Sequence, residues 1–302
     1  MPVKFKTYSE YLAEKFGSEH KIQKISVTLG TSCPNRDGTI GYGGCAYCNN
    51  TAFSPNYILS ESHSESVRET IIKGKEFFAR KYPEMKYLAY FQSYTNTHGK
   101  NHQSLLNLYQ EAAAVKDIVG LVIGTRPDCI DDNLFASLGE INRTKLPIII
   151  EFGAESSHDA TLQKVNRCHD WSATVEATKK AAKHNISVGL HFIMGLPGET
   201  EDMMLETVRR AVKLPIGTLK FHQLQIIKGT RFERDYLNNP EEFNLFSPEN
   251  YASLCKRIIE IVSPTGIAIE RFVSQSPSEL LIAPRWGLKN YQFINLLNSA
   301  KI

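Results

Sequence analysis

The residues best placed to do chemistry are three cysteines in the stretch TSCPNRDGTIGYGGCAYCNN. They run Cys33, eleven residues, Cys45, two residues, Cys48. A C-x2-C pair can present two thiolates to one metal centre. Gly38, Gly41, Gly43 and Gly44 let the intervening backbone fold back tightly. Three thiolates from one loop admit two readings. A structural zinc site wants a fourth ligand to close its tetrahedron, and His20 or His63 is available. A cubane iron–sulfur cluster held by three cysteines keeps one iron open to a substrate. Three reactive thiols in one loop with no ligand would be an oxidation liability. Of the other cysteines, Cys255 reads as a small buried hydrophobe in an apolar helix pattern, while Cys129 and Cys168 fall in candidate site loops.

Such a loop needs a frame, and composition sets what kind. The chain has 302 residues, 42% hydrophobic and 22% charged, which excludes disorder, collagen and coiled coil. The formal net charge of +3 neither demands nor excludes a polyanionic partner. The opening MPVKFKTYSEYLAEKFG lacks the apolar region of a signal peptide. Apolar runs such as Ile118 to Gly124 fall short of the roughly 18 residues that span a bilayer, so no membrane partner and a cytoplasmic location are expected.

Short β-rich runs alternate with helical patterns. Strands are predicted over Ile22 to Thr31, Tyr87 to Ser93, Gly120 to Arg126, Pro147 to Phe152, Ser187 to Gly195 and Leu219 to Ile227, with a seventh over Ile267 to Val273. Helices are predicted near Glu61 to Tyr82, Gln103 to Lys116, Asp131 to Asn142, Trp171 to His184, Glu199 to Lys213 and Pro248 to Val262. This alternation implies βαβ units and a parallel sheet. The strands are near-continuously apolar, as expected when both faces are covered. Functional residues then collect in the loops after the strands' carboxyl ends. The polar and Gly-rich stretches Cys33 to Cys48, Gln92 to Gly99, Thr125 to Asp128, Gly153 to Ser157 and Gly195 to Glu199 fall there.

With Tyr47 just before the last cysteine, this loop after a first barrel strand resembles that of radical S-adenosylmethionine (SAM) enzymes. The long spacing resembles the branch of the Elongator catalytic subunit and, more closely, the YhcC/YtqA-like bacterial group. The stretches YFQSYTNT, TRPDCI, EFGAESSHDATLQKVNRCHDW and HFIMGLPGET, in that order, carry the resemblance along nearly the whole chain. It implies an α/β fold, a partial (β/α)6 TIM barrel over residues 21–230. An N-terminal extension over 1–20 and a C-terminal helical and strand extension over 231–302 would pack on it. It also implies a [4Fe–4S] cluster and SAM. The open iron would chelate the amino and carboxylate groups of SAM, and one-electron cleavage would yield a 5′-deoxyadenosyl radical that takes hydrogen from the substrate.

The resemblance assigns residues. Cys33, Cys45 and Cys48 match the cluster ligands. Tyr47 matches the aromatic near the adenine. Gln92, Ser93, Tyr94 and Thr95 occupy the place of the GGE motif that holds the SAM amino group. Glu155 aligns with a ribose contact, Arg167 with an arginine on the SAM carboxylate, and His191 with a polar SAM contact on strand five. Gly124 stands where relatives often carry a ribose-binding glutamate. Asn35, Arg36 and Asp37 shape the SAM lid, meet substrate, or simply form a turn. His98 and His102 read as surface polarity. Arg285, Trp286, Lys289 and Tyr291 suit single-stranded nucleic acid, or a segment closing the barrel.

Three functions follow. The first is a radical SAM enzyme acting on a tRNA wobble-uridine side chain, reduced by a donor such as flavodoxin or ferredoxin. The second keeps the radical chemistry with a protein or metabolite substrate. The third is a non-catalytic, zinc-stabilised RNA-binding protein.

Overall fold

Strands β1 (Ile22–Val27), β2 (Lys86–Phe91), β3 (Ile118–Thr125), β4 (Ile148–Glu155), β5 (Ser187–Met194) and β6 (Thr218–Gln223) pair in parallel and in chain order. After the short β7 (Ile226–Ile227), β8 (Ala268–Arg271) adds in parallel beyond β6. Parallel neighbours require a crossover after each strand. Here α2 (Val67–Ala79), α3 (His102–Ala113), α4 (Asp132–Thr144), α5 (Asp159–Lys164) with α6 (Trp171–Lys183), and α7 (Glu201–Ala211) supply them. The result is a curled, seven-stranded half-barrel, seen in a computed structural model that describes residues 4–50, 66–79 and 84–299. No helix among the described residues is long and apolar enough to cross a membrane.

Alternation along each strand divides the interior in two. One row, including Phe91, Phe152, Phe192 and Phe221, is fully buried against the helices. Each such side chain contributes about 1.5 to 3 kcal/mol by leaving water. The opposite row includes Leu88, Tyr90, Val122 and Ile149, and Leu12 of α1 (Tyr8–Phe16) packs against it. That helix therefore plugs the end of the half-barrel at the strands' amino ends. Its signals are local: Thr7 and Glu10 form a reciprocal capping box, and Gly17 closes the helix at φ 57°. The extended residues before it protect the sheet edge, because Ile269 N–H donates to the Lys6 carbonyl at 2.8 Å.

Most strand ends shift by one to three residues from the sequence reading, and two strands differ more. The first strand stops at Val27, because the next residues turn into the cysteine loop. The sixth is broken: β6 ends at Gln223, whose side-chain amide is bonded to Ser274, and β7 pairs antiparallel with β9 (Leu281–Ala283) in a separate sheet. The helix expected over Glu61 to Tyr82 is seen as α2, while residues 51–65, including His63, and 80–83 lie outside the described residues. Beyond the sheet, α8 (Arg231–Asn238), α9 (Pro248–Val262) and α10 (Asn290–Ser299) complete the chain.

Candidate active site

The cysteine loop is built by its own backbone. Arg36 and Asp37 N–H both donate to the Cys33 carbonyl, at 2.7 and 3.0 Å, and Cys48 N–H donates to the Cys45 carbonyl at 3.0 Å. Two asparagines clamp this loop to the segment after α5. Asn35 Nδ2 donates to the Asn166 carbonyl at 2.5 Å, and Asn166 Nδ2 returns a bond to the Gly44 carbonyl at 2.8 Å. Arg36 Nη2 donates to the Cys48 carbonyl at 2.6 Å. A Cβ on Gly44, which sits at φ +75°, would lie 2.7 Å from the Arg36 guanidinium, so glycine is required there. Asp37 takes the turn role: it accepts from Thr39 N–H and Oγ1, from Ser32, and from His98 Nε2 at 2.9 Å. These bonds hold its carboxyl well below the usual range.

A cleft of about 240 Å³ opens at the carboxyl ends of the strands and is bordered by all three cysteines. Tyr47, Gln92, Tyr94, Thr95, Glu155, Arg167 and His191 border it too, whereas Ser93 does not. Burial and the neighbouring Cys45 push the Cys48 thiol up to about 11, so a thiolate at Cys48 needs a cation beside it. Among the described residues, no three His, Cys, Asp or Glu side chains are grouped closely enough to hold a single ion.

Arg167 is nearly buried beside them. Its Nη1 lies 3.4 Å from Cys45 Sγ, its Nη2 donates to the Gly153 carbonyl and lies 3.7 Å from Glu155 Oε1, and its Nε has no partner. Burial raises the Glu155 carboxyl, and Arg167 opposes that rise. Glu155 reaches this position from a left-handed backbone at φ 66°, where β4 and β5 slip register. A second guanidinium, Arg126, was not singled out from the sequence beyond its TRPD stretch. It binds Asp128 through both carboxylate oxygens at 2.9 and 2.8 Å and donates to the Arg167 carbonyl at 2.8 Å. Its buried Nη1 is likewise unpartnered. Two buried N–H groups with nothing to donate to suit an anionic ligand in the cleft.

Below the cleft lies a charged floor. Glu151 is 1% exposed, and Lys24, His191 (2.8 Å) and Lys220 (3.4 Å) bond to it. Lys24 and Lys220 also reach Glu270, at 2.7 and 3.2 Å. Burial, with Lys220 nearby, lowers His191 to about 4, so the ring is neutral at pH 7 and bonded to Glu151. The signal for this floor was visible as Glu, Lys and His inside otherwise apolar strands, IIIEF and TLKFHQ.

Other candidates have structural partners. Gly124 carries a carbonyl that accepts from Asn96 Nδ2 at 2.8 Å, and a Cβ on it would lie 2.9 Å from the Phe91 carbonyl oxygen. Glu199, in GLPGE, braces Ser156 after β4. His102 pairs with Asp131 at 3.0 Å. Cys255 is buried, Cys129 is half-buried beside Asp128, and Cys168 donates to Asn35 Oδ1 at 3.1 Å. Trp286 is half-buried against the core rather than a free stacking platform: its ring stacks on Phe293 at 6.2 Å and its Nε1 donates to the Phe246 carbonyl. Arg285, Lys289 and Tyr291 are exposed around it.

The model of the Radical SAM superfamily matches residues 27–211, and that of the Radical_SAM C-terminal domain matches residues 216–300. The chain is 34% identical to YtqA of Bacillus subtilis (strain 168), over 98% of this chain and 88% of that protein. It is also 34% identical to YhcC of Escherichia coli (strain K12), over 91% and 85%. A tRNA uridine(34) acetyltransferase of Dehalococcoides mccartyi (strain CBDB1) is 25% identical over 57% of this chain and 36% of its own length. The fold matches the archaeal Methanocaldococcus infernus Elp3 with a TM-score of 0.61 at 16% identity, covering 88% of this chain and 59% of that one. It also matches coproporphyrinogen III oxidase (HemN) of Escherichia coli, with a TM-score of 0.55 at 15% identity, covering 87% and 58%. The chain thus spans about six-tenths of these solved structures, and at such identity they speak for the fold alone. On the family models and the long relatives together, this chain belongs to the radical SAM superfamily.

Proposed function

We propose that Cys33, Cys45 and Cys48 hold a [4Fe–4S] cluster and that the adjoining cleft binds SAM. One observation carries this reading. Three thiols face a cleft whose wall holds two buried guanidinium groups, each with an unpartnered N–H. Three cysteines leave the fourth corner of a cubane open, whereas a structural zinc ion wants a fourth ligand. When bound, the cluster and SAM supply one-electron cleavage of the sulfonium and hydrogen abstraction.

The chain's own residues do the rest. Arg167 and Arg126 offer charge-assisted donors for the SAM carboxylate. Tyr47 offers an aromatic face, while Gln92, Tyr94 and Thr95 border the place of the amino group. Glu155 sits where a ribose hydroxyl would be met. The asparagine clamp on the loop and the packed wall around Tyr47 restrict water. The electron comes from a small donor such as flavodoxin or ferredoxin.

For substrate we read a tRNA wobble-uridine side chain. The support is the similarity to a protein named tRNA uridine(34) acetyltransferase. Anaerobically reconstituted protein is expected to form 5′-deoxyadenosine on reduction with SAM, and Cys48→Ala protein is not. Mass analysis of tRNA nucleosides from cells with and without the gene is expected to differ at the wobble uridine. A colourless protein with one tight zinc overturns the chemistry, and an unchanged nucleoside profile overturns the substrate.

A further inference from the structure

The charged floor is balanced except at one place. Lys24 and Lys220 each bridge Glu151 and Glu270, which closes a group of two cations and two anions. Arg271, the last residue of β8, borders the same floor and has no carboxylate partner among the described residues. Among the described residues its guanidinium has one bonded neighbour, His222. Arg271 Nη2 lies 3.4 Å from both ring nitrogens, as a group placed over the ring does, and its buried Nε has no partner. Ser274, 5% exposed, borders the same cleft. The backbone N–H of Ser274 donates to Gln223 Oε1 at 2.8 Å and its carbonyl accepts from Gln223 Nε2 at 3.1 Å, while its buried hydroxyl bonds to nothing. A pinned hydroxyl and a cation without a counter-charge thus border one cleft at its β8 edge, whereas Arg126 and Arg167 come after the central strands β3 and β4.

A second cavity, of about 320 Å³, is bordered by Lys24 of β1 and by Glu270 and Arg271 of β8. Those are the two edge strands of the open sheet, so this cavity enters the half-barrel from its side. Arg271, Lys220 and Tyr90 border both spaces.

We infer that Arg271 and Ser274 form an oxyanion seat for the substrate, which therefore carries a carboxylate or phosphate group. An oxyanion there would satisfy the guanidinium and the hydroxyl together, and a neutral isostere would leave both buried donors unpaired. The inference deepens the proposed function and rests on it in taking this cleft as the place where substrate meets SAM.

Saturation-transfer NMR on the cluster-loaded protein, with and without saturating SAM, tests it with millimolar propionate, dimethyl phosphate and propionamide. One of the two anions is expected to bind, and which one tells a carboxylate from a phosphate. Propionamide is expected to bind at least tenfold more weakly. Arg271→Gln is expected to weaken the anion tenfold or more, Arg271→Lys less, and Ser274→Ala severalfold with the charge intact. Wild-type affinity in both Arg271→Gln and Ser274→Ala, equal binding of propionamide, absence of anion binding, or its abolition by SAM would overturn the seat. 5′-Deoxyadenosine formation, read in the same preparation, separates the two ideas: anion binding without it overturns the functional reading alone, and the converse overturns the seat alone.

Discussion

Arg167 Nη1 lies 3.4 Å from the Sγ of Cys45, 122 positions away in the chain. That contact joins the segment after α5 to the cysteine loop and sets a cation against a thiol inside the cleft. Gly153 makes room for it: a Cβ there would lie 2.8 Å from Arg167 Nη2 and 2.7 Å from Glu155 Oε1. Gly153→Ala is therefore expected to displace the guanidinium and weaken SAM binding about tenfold, a cost of about 1.4 kcal/mol. Equilibrium dialysis of SAM against the cluster-loaded variant measures this, with circular dichroism checking the fold. Unchanged affinity would remove Arg167 from the SAM site.

Glu151 organises the floor beneath that site. Replacing it with alanine leaves Lys24 and Lys220 sharing Glu270 alone in a buried space. Breaking a buried pair in this way costs about 3 to 5 kcal/mol. Urea unfolding of Glu151→Ala is expected to show a loss of that size. A loss below about 1 kcal/mol would mean that the floor is hydrated and its ions individually solvated.

The same floor predicts a pH dependence. His191 falls to about 4 in the folded chain, against about 6.5 when unfolded. Between those values the unfolded state binds more protons, so stability is full above pH 6.5 and declines as pH falls toward 4. The loss amounts to at most about 3 kcal/mol. Burial and Arg271 drive His222 in the same direction. Glu151 and Glu270 are held below their ordinary values, chiefly by Lys220 and Lys24 working against burial, and add a further loss below about pH 4.5. Urea midpoints at pH 7 and pH 5 are expected to differ, with the difference reduced in His191→Gln. A midpoint flat from pH 7 to 5 would contradict a buried neutral His191.

The C-terminal Arg–Trp–Lys–Tyr group divides into core and surface. Trp286 stacks on Phe293 and packs at 5.5 Å from Tyr251, whereas Tyr291 is 63% exposed. Trp286→Ala is expected to cost about 3 kcal/mol of stability, and Tyr291→Ala less than about 0.5. Thermal unfolding distinguishes them. Equal and small effects would return Trp286 to the candidates for stacking on a base.

What could be read from the sequence follows from the range of each interaction. The parallel strands were legible because runs such as LVIG are apolar on both faces, and the cysteine loop because its spacing is local. Helix α1 was equally local, with Thr7, Glu10 and Gly17 as its signals, but it was read only as an extension. The broken sixth strand was not legible, since Gln223 is held by Ser274, 51 positions on. Nor was the floor. Lys24 finds Glu151 across 127 positions and Glu270 across 246, and only strand order and register bring them together.

The central claim is a cluster with one corner left open beside the cleft. It is tested most directly by electron paramagnetic resonance of the reduced, anaerobically loaded protein, recorded before and after adding SAM. A [4Fe–4S] signal that changes on addition of SAM, and that is lost in Cys33→Ala, Cys45→Ala and Cys48→Ala, is the expected result. A cluster signal indifferent to SAM, or a protein that takes up no iron with its three cysteines intact, would contradict the account.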